Sequence, residues 1–179
     1  SYEEPSPNAF SFNSPYGMCP TCSGLGQVNK VDMDKVIPDH SKNIKQQGIV
    51  PLGEVRDTWN FKQIKEIAKK YKFTFSTPIN KMPEAGLNAI LHGTDGKELK
   101  VKYNNQTYTV AFEGLMKMLD RWYNDTTSEK VRQWAGEFMT VDVCDTCNGA
   151  RLKQESLHFK LGEKNIAELF GALGITTAK

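Results

Sequence analysis

The sequence predicts an α+β fold: helices packed with a small antiparallel sheet or hairpin, closed at its base by a two-knuckle zinc site of four cysteines. Three observations carry this. Cys19-Pro20-Thr21-Cys22-Ser23-Gly24 and Cys144-Asp145-Thr146-Cys147-Asn148-Gly149 share the form C-x-x-C-x-G and hold every cysteine in the chain. Several segments between them repeat apolar residues at 3–4 residue spacing, the period of an amphipathic helix. One segment alternates apolar and polar residues on both sides of Asn104-Asn105, the pattern of a hairpin.

The cysteines admit three chemistries. Disulfides suit small secreted domains, and no secretory pattern opens the chain. A C-x-x-C redox pair is usually single and sits beside a βαβ pattern. Two pairs, each with glycine two residues on, fit thiolates converging on one Zn²⁺ at ~2.3 Å. Glycine there lets backbone amides approach sulfur in a conformation that a Cβ resists. Cys19, Cys22, Cys144 and Cys147 are therefore the expected ligands of one structural zinc. The span from Cys22 to Cys144 is the size of a domain, where an ordinary finger closes ~12–20 residues. The expected organisation is 1–27 as N-terminal segment and first knuckle, 28–143 as an inserted domain, and 144–179 as second knuckle and start of a following segment.

The 179 residues suit one domain with flanking pieces. A first residue that is Ser, and an end just past a helix-like stretch, read as an excised part of a longer protein. No apolar run approaches the ~20 residues that span a bilayer. A net charge of +2 says almost nothing about a nucleic-acid partner. In chain order, residues 1–16 carry Pro5, Pro7 and Pro15. They read either as a contact to the rest of the parent protein or as a loose tail, with Phe10 to Asn13 a possible short strand. Asp32 to Ile37 reads as one helical turn or a strand, ended by Pro38. His40 is isolated and expected at the surface.

Asn60 to Tyr71 is the clearest helix, with Phe61, Ile64, Ile67, Ala68 and Tyr71 as its stripe. Around it Arg56, Lys62, Lys65, Lys69, Lys70 and Lys72 face only Asp57 and Glu66 in the sequence. That is either a phosphate-contacting face or a solvated one. Pro83 to Leu91 reads as a shorter helix, with Pro83 in its first turn and Gly93 as its stop. Glu98 to Phe112 is the hairpin, with Lys100 and Lys102 on one exposed face. Lysines there serve DNA contact or simply block edge-to-edge association. Glu113 to Tyr123 is helical through Leu115, Met118, Leu119 and Trp122. Thr126 to Glu129 has the capping-box form before a helix that buries Val131, Trp134, Ala135 and Phe138. These aromatic residues are expected to pack together. Arg121, Lys130 and Arg132 surround the connection and could reach a phosphate backbone. Met139 to Val143 is a strand leading to the second knuckle. Leu157, Phe159 and Leu161 alternate as a strand, Gly162 turns, and Ile166, Leu169, Phe170 and Leu173 make a last helix.

With the knuckles placed, the chain resembles the UvrA family of excinuclease components. Phe10-Ser11-Phe12-Asn13-Ser14-Pro15-Tyr16-Gly17-Met18-Cys19-Pro20-Thr21-Cys22-Ser23-Gly24-Leu25-Gly26 is similar to that family's F-S-F-N-x-P-x-G-x-C-P-x-C-x-G-L-G. Cys144 to Leu152 is similar to its C-x-x-C-x-G-x-R-L. Asn60-Phe61, Phe112-Glu113-Gly114 and Lys100-Val101-Lys102-Tyr103 also fall where the family has counterparts. The resemblance implies a dimeric, cytoplasmic ABC-type ATPase of bacterial nucleotide excision repair that binds damaged double-stranded DNA and loads UvrB. The segment between the knuckles is then its insertion domain, an arm on structural zinc, while UvrB binds a different domain upstream. Candidate DNA contacts are Lys62, Lys65, Lys69, Lys70, Lys100, Lys102, Arg121 and Arg132.

No G-x-x-x-x-G-K-[ST] loop or L-S-G-G-Q signature is present, so ATP belongs to the parent protein and this chain is expected not to be an enzyme alone. Four thiolates fill a zinc site and leave no position for an activated water. His40, His92 and His158 are scattered. The competing reading is a peptide-binding zinc module. Cys19 to Gly26 fits the C-x-x-C-x-G-x-G repeat of DnaJ-type chaperones, but Arg151 stands where the second copy needs its last glycine.

Overall fold

The computed structural model describes residues 7–172. They hold seven α-helices, α1 (Met33–Val36), α2 (Trp59–Lys70), α3 (Glu84–His92), α4 (Leu115–Asn124), α5 (Glu129–Gly136), α6 (Gln154–Leu157) and α7 (Ile166–Ala172), with six short strands. The strands are β1 (Gln27–Val31), β2 (Leu99–Tyr103), β3 (Gln106–Val110), β4 (Met139–Val143), β5 (Lys160–Leu161) and β6 (Lys164–Asn165). They pair only two by two, β1 with β4, β2 with β3 and β5 with β6. The fold is the mixed helix-plus-hairpin class that the sequence predicts. The chain divides into two compact units, one of Val31–Thr140 and one of the segments on either side of it.

In the central unit, α2 forms where its stripe demands. Phe61, Ile64, Ile67 and Ala68 are buried, and Tyr71 follows as the C-cap. Fully burying each large apolar side chain stabilises by ~1.5–3 kcal/mol. They pack with Ile37, Ile44, Ile49, Ile79, Ile90, Leu115 and Leu119 in one core. The connection from α1 to α2 holds three of these isoleucines, although no periodic pattern marks it. Asn43 secures part of it with a capping box to Gln46.

α3 starts one residue later than expected, with Pro83 as its N-cap and not its first turn. Its end and the start of α4 meet backbone to backbone. Gly114 has φ +93°, and a Cβ there would lie 2.4 Å from the His92 carbonyl carbon. Gly93 has φ +96°, and its Cβ would lie 2.6 Å from the Phe112 carbonyl oxygen. Only glycine fits this crossing.

β2 and β3 pair in the expected register, Tyr103 opposite Gln106 and Leu99 opposite Val110. Asn104 and Asn105 both take positive φ, 47° and 61°, as a two-residue turn of this hand requires. Leu99 and Val101 are buried, while Lys100 and Lys102 are exposed. α4 begins at Leu115 behind Gly114 instead of at Glu113. Trp122 meets Trp134 at 5.6 Å and Trp134 meets Phe138 at 5.4 Å, so these rings pack together. The expected capping box does not form. Ser128 is the N-cap of α5, and the Thr126 hydroxyl instead accepts from the Ser128 amide.

In the flanking unit, Phe10 to Asn13 is no strand. A 3₁₀ turn, Pro7–Phe10, takes its place at the start. The expected strand around Leu157 to Leu161 is mostly a helical turn, α6, followed by the two-residue β5. Gly162 turns with φ +69°, and α7 follows. Leu173 lies outside the described residues. None of the described helices is long and apolar enough to cross a membrane.

Candidate metal centre and nucleic-acid interface

The four cysteines converge. Cys19, Cys22, Cys144 and Cys147 are buried, and their sulfurs all lie within 4.8 Å of one another. Cys19 Sγ is 4.0 Å from Cys144 Sγ, and Cys22 Sγ is 3.7 Å from Cys147 Sγ. A tetrahedron with arms of ~2.3 Å has edges of about 3.8 Å, so the cluster fits a zinc-sized ion. All four thiols are free.

The two knuckles match residue for residue. Ser23 and Asn148 take φ of 49° and 48°, and Gly24 and Gly149 follow at 78° and 80°. Leu25 N–H donates to Cys22 O, and Ala150 N–H donates to Cys147 O. The knuckles then exchange backbone bonds: Cys19 N–H donates to Arg151 O at 2.8 Å, and Cys144 N–H donates to Gly26 O at 2.9 Å. Thr21 and Thr146 meet through their hydroxyls at 2.9 Å. The amide that reaches the Cys22 sulfur is that of Gly26, at 3.2 Å. Gly24 shapes the loop; a Cβ there would lie 2.1 Å from Phe12 O.

Arg151 occupies the place of Gly26 in the second knuckle and takes φ +65° despite its side chain. Its guanidinium lies over the Phe12 ring at 5.5 Å. Burial pushes the Cys147 thiol up to about 12, against the Arg151 amide that favours its thiolate. Burial also opposes the Cys144 thiolate, but amides of Cys147 and Thr146 prevail and bring that thiol down to about 7. Lys30 ties the module together, bonding Asp142 at 3.2 Å and Asp145 at 2.7 Å. Hydrogen bonds to Asp145 and Asp142 hold its ammonium above the usual lysine range. Sequence reasoning missed this cluster because its partners lie more than a hundred positions apart.

The eight basic candidates are not equivalent. Lys62, Lys65, Lys69 and Lys102 line one groove of about 700 Å³ between α2 and β2, over Phe61, Phe73 and Phe75. Lys62 is already held by Asp57 at 2.9 Å and lies over the Tyr103 ring at 5.0 Å. Lys69 pairs with Glu66 at 2.6 Å. Arg121 pairs with Glu113 at 2.5 Å, and Arg132 is bound to Glu129 and the Thr126 carbonyl. Lys65, Lys70, Lys100 and Lys102 are exposed and have no acidic partner among the described residues. His40, His92 and His158 are exposed and belong to no cluster among the described residues that could hold a metal.

An α+β unit carried between the two halves of a four-cysteine, metal-binding module defines a class of inserted domain. The sequence profile of the UvrA DNA-binding domain matches residues 32–137, and the chain belongs to that family. The chain is 42% identical over 175 residues to UvrABC system protein A of Clostridium tetani, covering 94% of this chain and 19% of that protein. With the protein of the same name from Methanothermobacter thermautotrophicus it shares 37% identity, covering 94% of this chain and 18% of that protein. The crystal structure of UvrA2 from Deinococcus radiodurans superposes with a TM-score of 0.67 at 26% identity, over 90% of this chain and 21% of that one. The chain thus spans about a fifth of the length of these relatives.

Proposed function

We propose that this chain is the DNA-binding insertion domain of a damage-recognition ATPase of nucleotide excision repair. Cys19, Cys22, Cys144 and Cys147 would hold one structural Zn²⁺. Bound there, zinc supplies a cross-link between distant parts of the chain and no catalysis, because thiolates fill every position. Residues 28–143 form the inserted arm between the knuckles, and DNA contact lies on its lysines. ATP hydrolysis, homodimerisation, a cytoplasmic location and the UvrB contact belong to the parent protein.

The observation that carries the DNA reading is that four of the candidate lysines, Lys65, Lys70, Lys100 and Lys102, carry no ion pair among the described residues, on a domain of this family. A lysine free of carboxylates can neutralise a phosphate and release its counterion; one already in an ion pair must first break it. Such contacts read shape and deformability instead of sequence. Non-specific affinity of the isolated chain is expected at ~10⁻⁴–10⁻⁶ M. The peptide-binding zinc module is not favoured, because the family match falls on the segment between the knuckles.

The test is a labelled duplex titrated at several salt concentrations. Changing Lys65, Lys70, Lys100 and Lys102 to Gln is expected to flatten the slope of log affinity against log salt by about 0.9 for each phosphate no longer neutralised. The charge-neutral pair Lys69→Gln with Glu66→Gln serves as control and is expected to change little. Binding unaffected by the four lysines refutes this choice of surface.

A further inference from the structure

A second cavity, of about 480 Å³, opens between α2 and α4 and is lined as well by residues 110–113. Trp59, Asn60 and Gln63 reach it from α2; Arg121 and Trp122 reach it from α4. Gln63 is only 6% exposed, yet its carboxamide bonds to no described residue. No side-chain polar atom sealed from solvent is left unpaired among the described residues. The Gln63 carboxamide therefore keeps contact with solvent, and Gln63 is one of the residues that line the cavity. Asn60, one turn earlier on the same face, is half-buried and equally without a partner.

A carboxamide that no protein group engages keeps its donors and acceptor free, and in an apolar wall it suits a ligand with an acceptor and donors of its own. The walls narrow the choice. Trp59 is braced edge-on by Tyr103 and Tyr108, at 5.6 and 5.4 Å. Trp122 is braced by Trp134 at 5.6 Å. Two fixed indoles suit a flat ring, and two carboxamides suit a ring edge that both donates and accepts. Arg121 and Glu113, paired with each other, stand at the rim. The N-cap of α2, Thr58, makes no side-chain cap bond, which leaves the first amides of the helix beside the cavity open to an anion.

We propose that this cavity receives the nucleobase of an unpaired DNA residue, with its phosphate toward the start of α2. The inference rests on the DNA-binding reading and adds to it the class of structure recognised: a base no longer stacked in the duplex. Such a base enters at lower cost than a paired one, since unstacking has already occurred.

The test uses the 179-residue chain and three probes: a duplex with one extrahelical 2-aminopurine, the same duplex fully paired, and free dAMP. The bulged duplex is expected to bind about tenfold more tightly than the paired one and to show 2-aminopurine quenching. Gln63→Met is expected to remove that preference while leaving paired-duplex binding unchanged. Asn60→Ala, on the half-exposed side, gives the same readout if Gln63→Met does not fold. Equal affinity for bulged and paired duplexes, or a preference that survives both variants, overturns the proposal. So does saturation by free dAMP with no bulge preference, which would make the cavity a mononucleotide site. Absence of any salt-sensitive duplex binding would instead overturn the DNA-binding reading beneath it.

Discussion

Cys22 and Cys147 each receive an amide from the residue four positions on, and those residues, Gly26 and Arg151, also bond the other knuckle's first cysteine. Each loop thus holds its own second sulfur through an amide and the backbone of the opposite knuckle through a carbonyl. Neither pair is a site alone, so Cys22→Ala and Cys147→Ala are each expected to abolish zinc binding in metal analysis. A variant whose remaining pair kept stoichiometric zinc would contradict a shared site. Proton linkage gives a second test. Burial favours the protonated form of Cys147, whereas the amides of Cys147 and Thr146 draw Cys144 towards its thiolate. A ligating thiol must be deprotonated, so metal displaces protons and acid competes with it. Lowering the pH from about 8 to about 6 should therefore weaken zinc affinity in a chelator competition and increase the protons released on loading. Affinity flat over that range would mean the thiols are already ionised.

Among the elements, α2 and the hairpin were legible because their residues repeat with a clean period and bury one face. α2 lies within a residue of its expected bounds, and the Asn104-Asn105 turn falls where expected. Thr126 misled because a capping box is a local pattern: Ser128 is the N-cap of α5, and the Thr126 hydroxyl is occupied by the Ser128 amide. Phe10 and Phe159 look like strand residues in isolation. In the structure their rings meet edge-on at 5.6 Å, a contact no local window contains. The candidate site was legible in the same uneven way. Four cysteines advertise themselves, but whether a lysine is free or neutralised depends on its folded neighbours. The α3–α4 crossing provides a test at this scale. Gly114→Ala forces a Cβ into the His92 backbone at φ +93°. It should cost at least ~1–3 kcal/mol in urea denaturation. Gly53→Ala, at φ +65° with nothing within 4 Å, carries conformational strain alone and should cost less. Equal destabilisation would show that the close approach adds nothing.

At the scale of the molecule, the two units are stabilised by different means. The central unit has a continuous core of Val36, Ile64, Ile67, Ile90, Val101, Leu115 and Leu119 with their neighbours. Among the flanking-unit residues whose burial is described, Leu152 is the one buried hydrophobic besides the cysteines. Where apolar burial is sparse, as around the knuckles, a metal or a disulfide commonly supplies the missing stability. Metal binding there is folding free energy. Removing zinc with a chelator under reducing conditions should therefore melt the two units unequally. In hydrogen exchange, the amides of Cys19, Leu25, Cys144 and Ala150 should lose protection. Those of Ile64, Ile67 and Ile90 should keep theirs, because the isoleucine core does not depend on the metal. Parallel loss in both sets would mean the zinc module stabilises the inserted domain directly. Retention in both would mean the knuckle backbone bonds suffice without an ion.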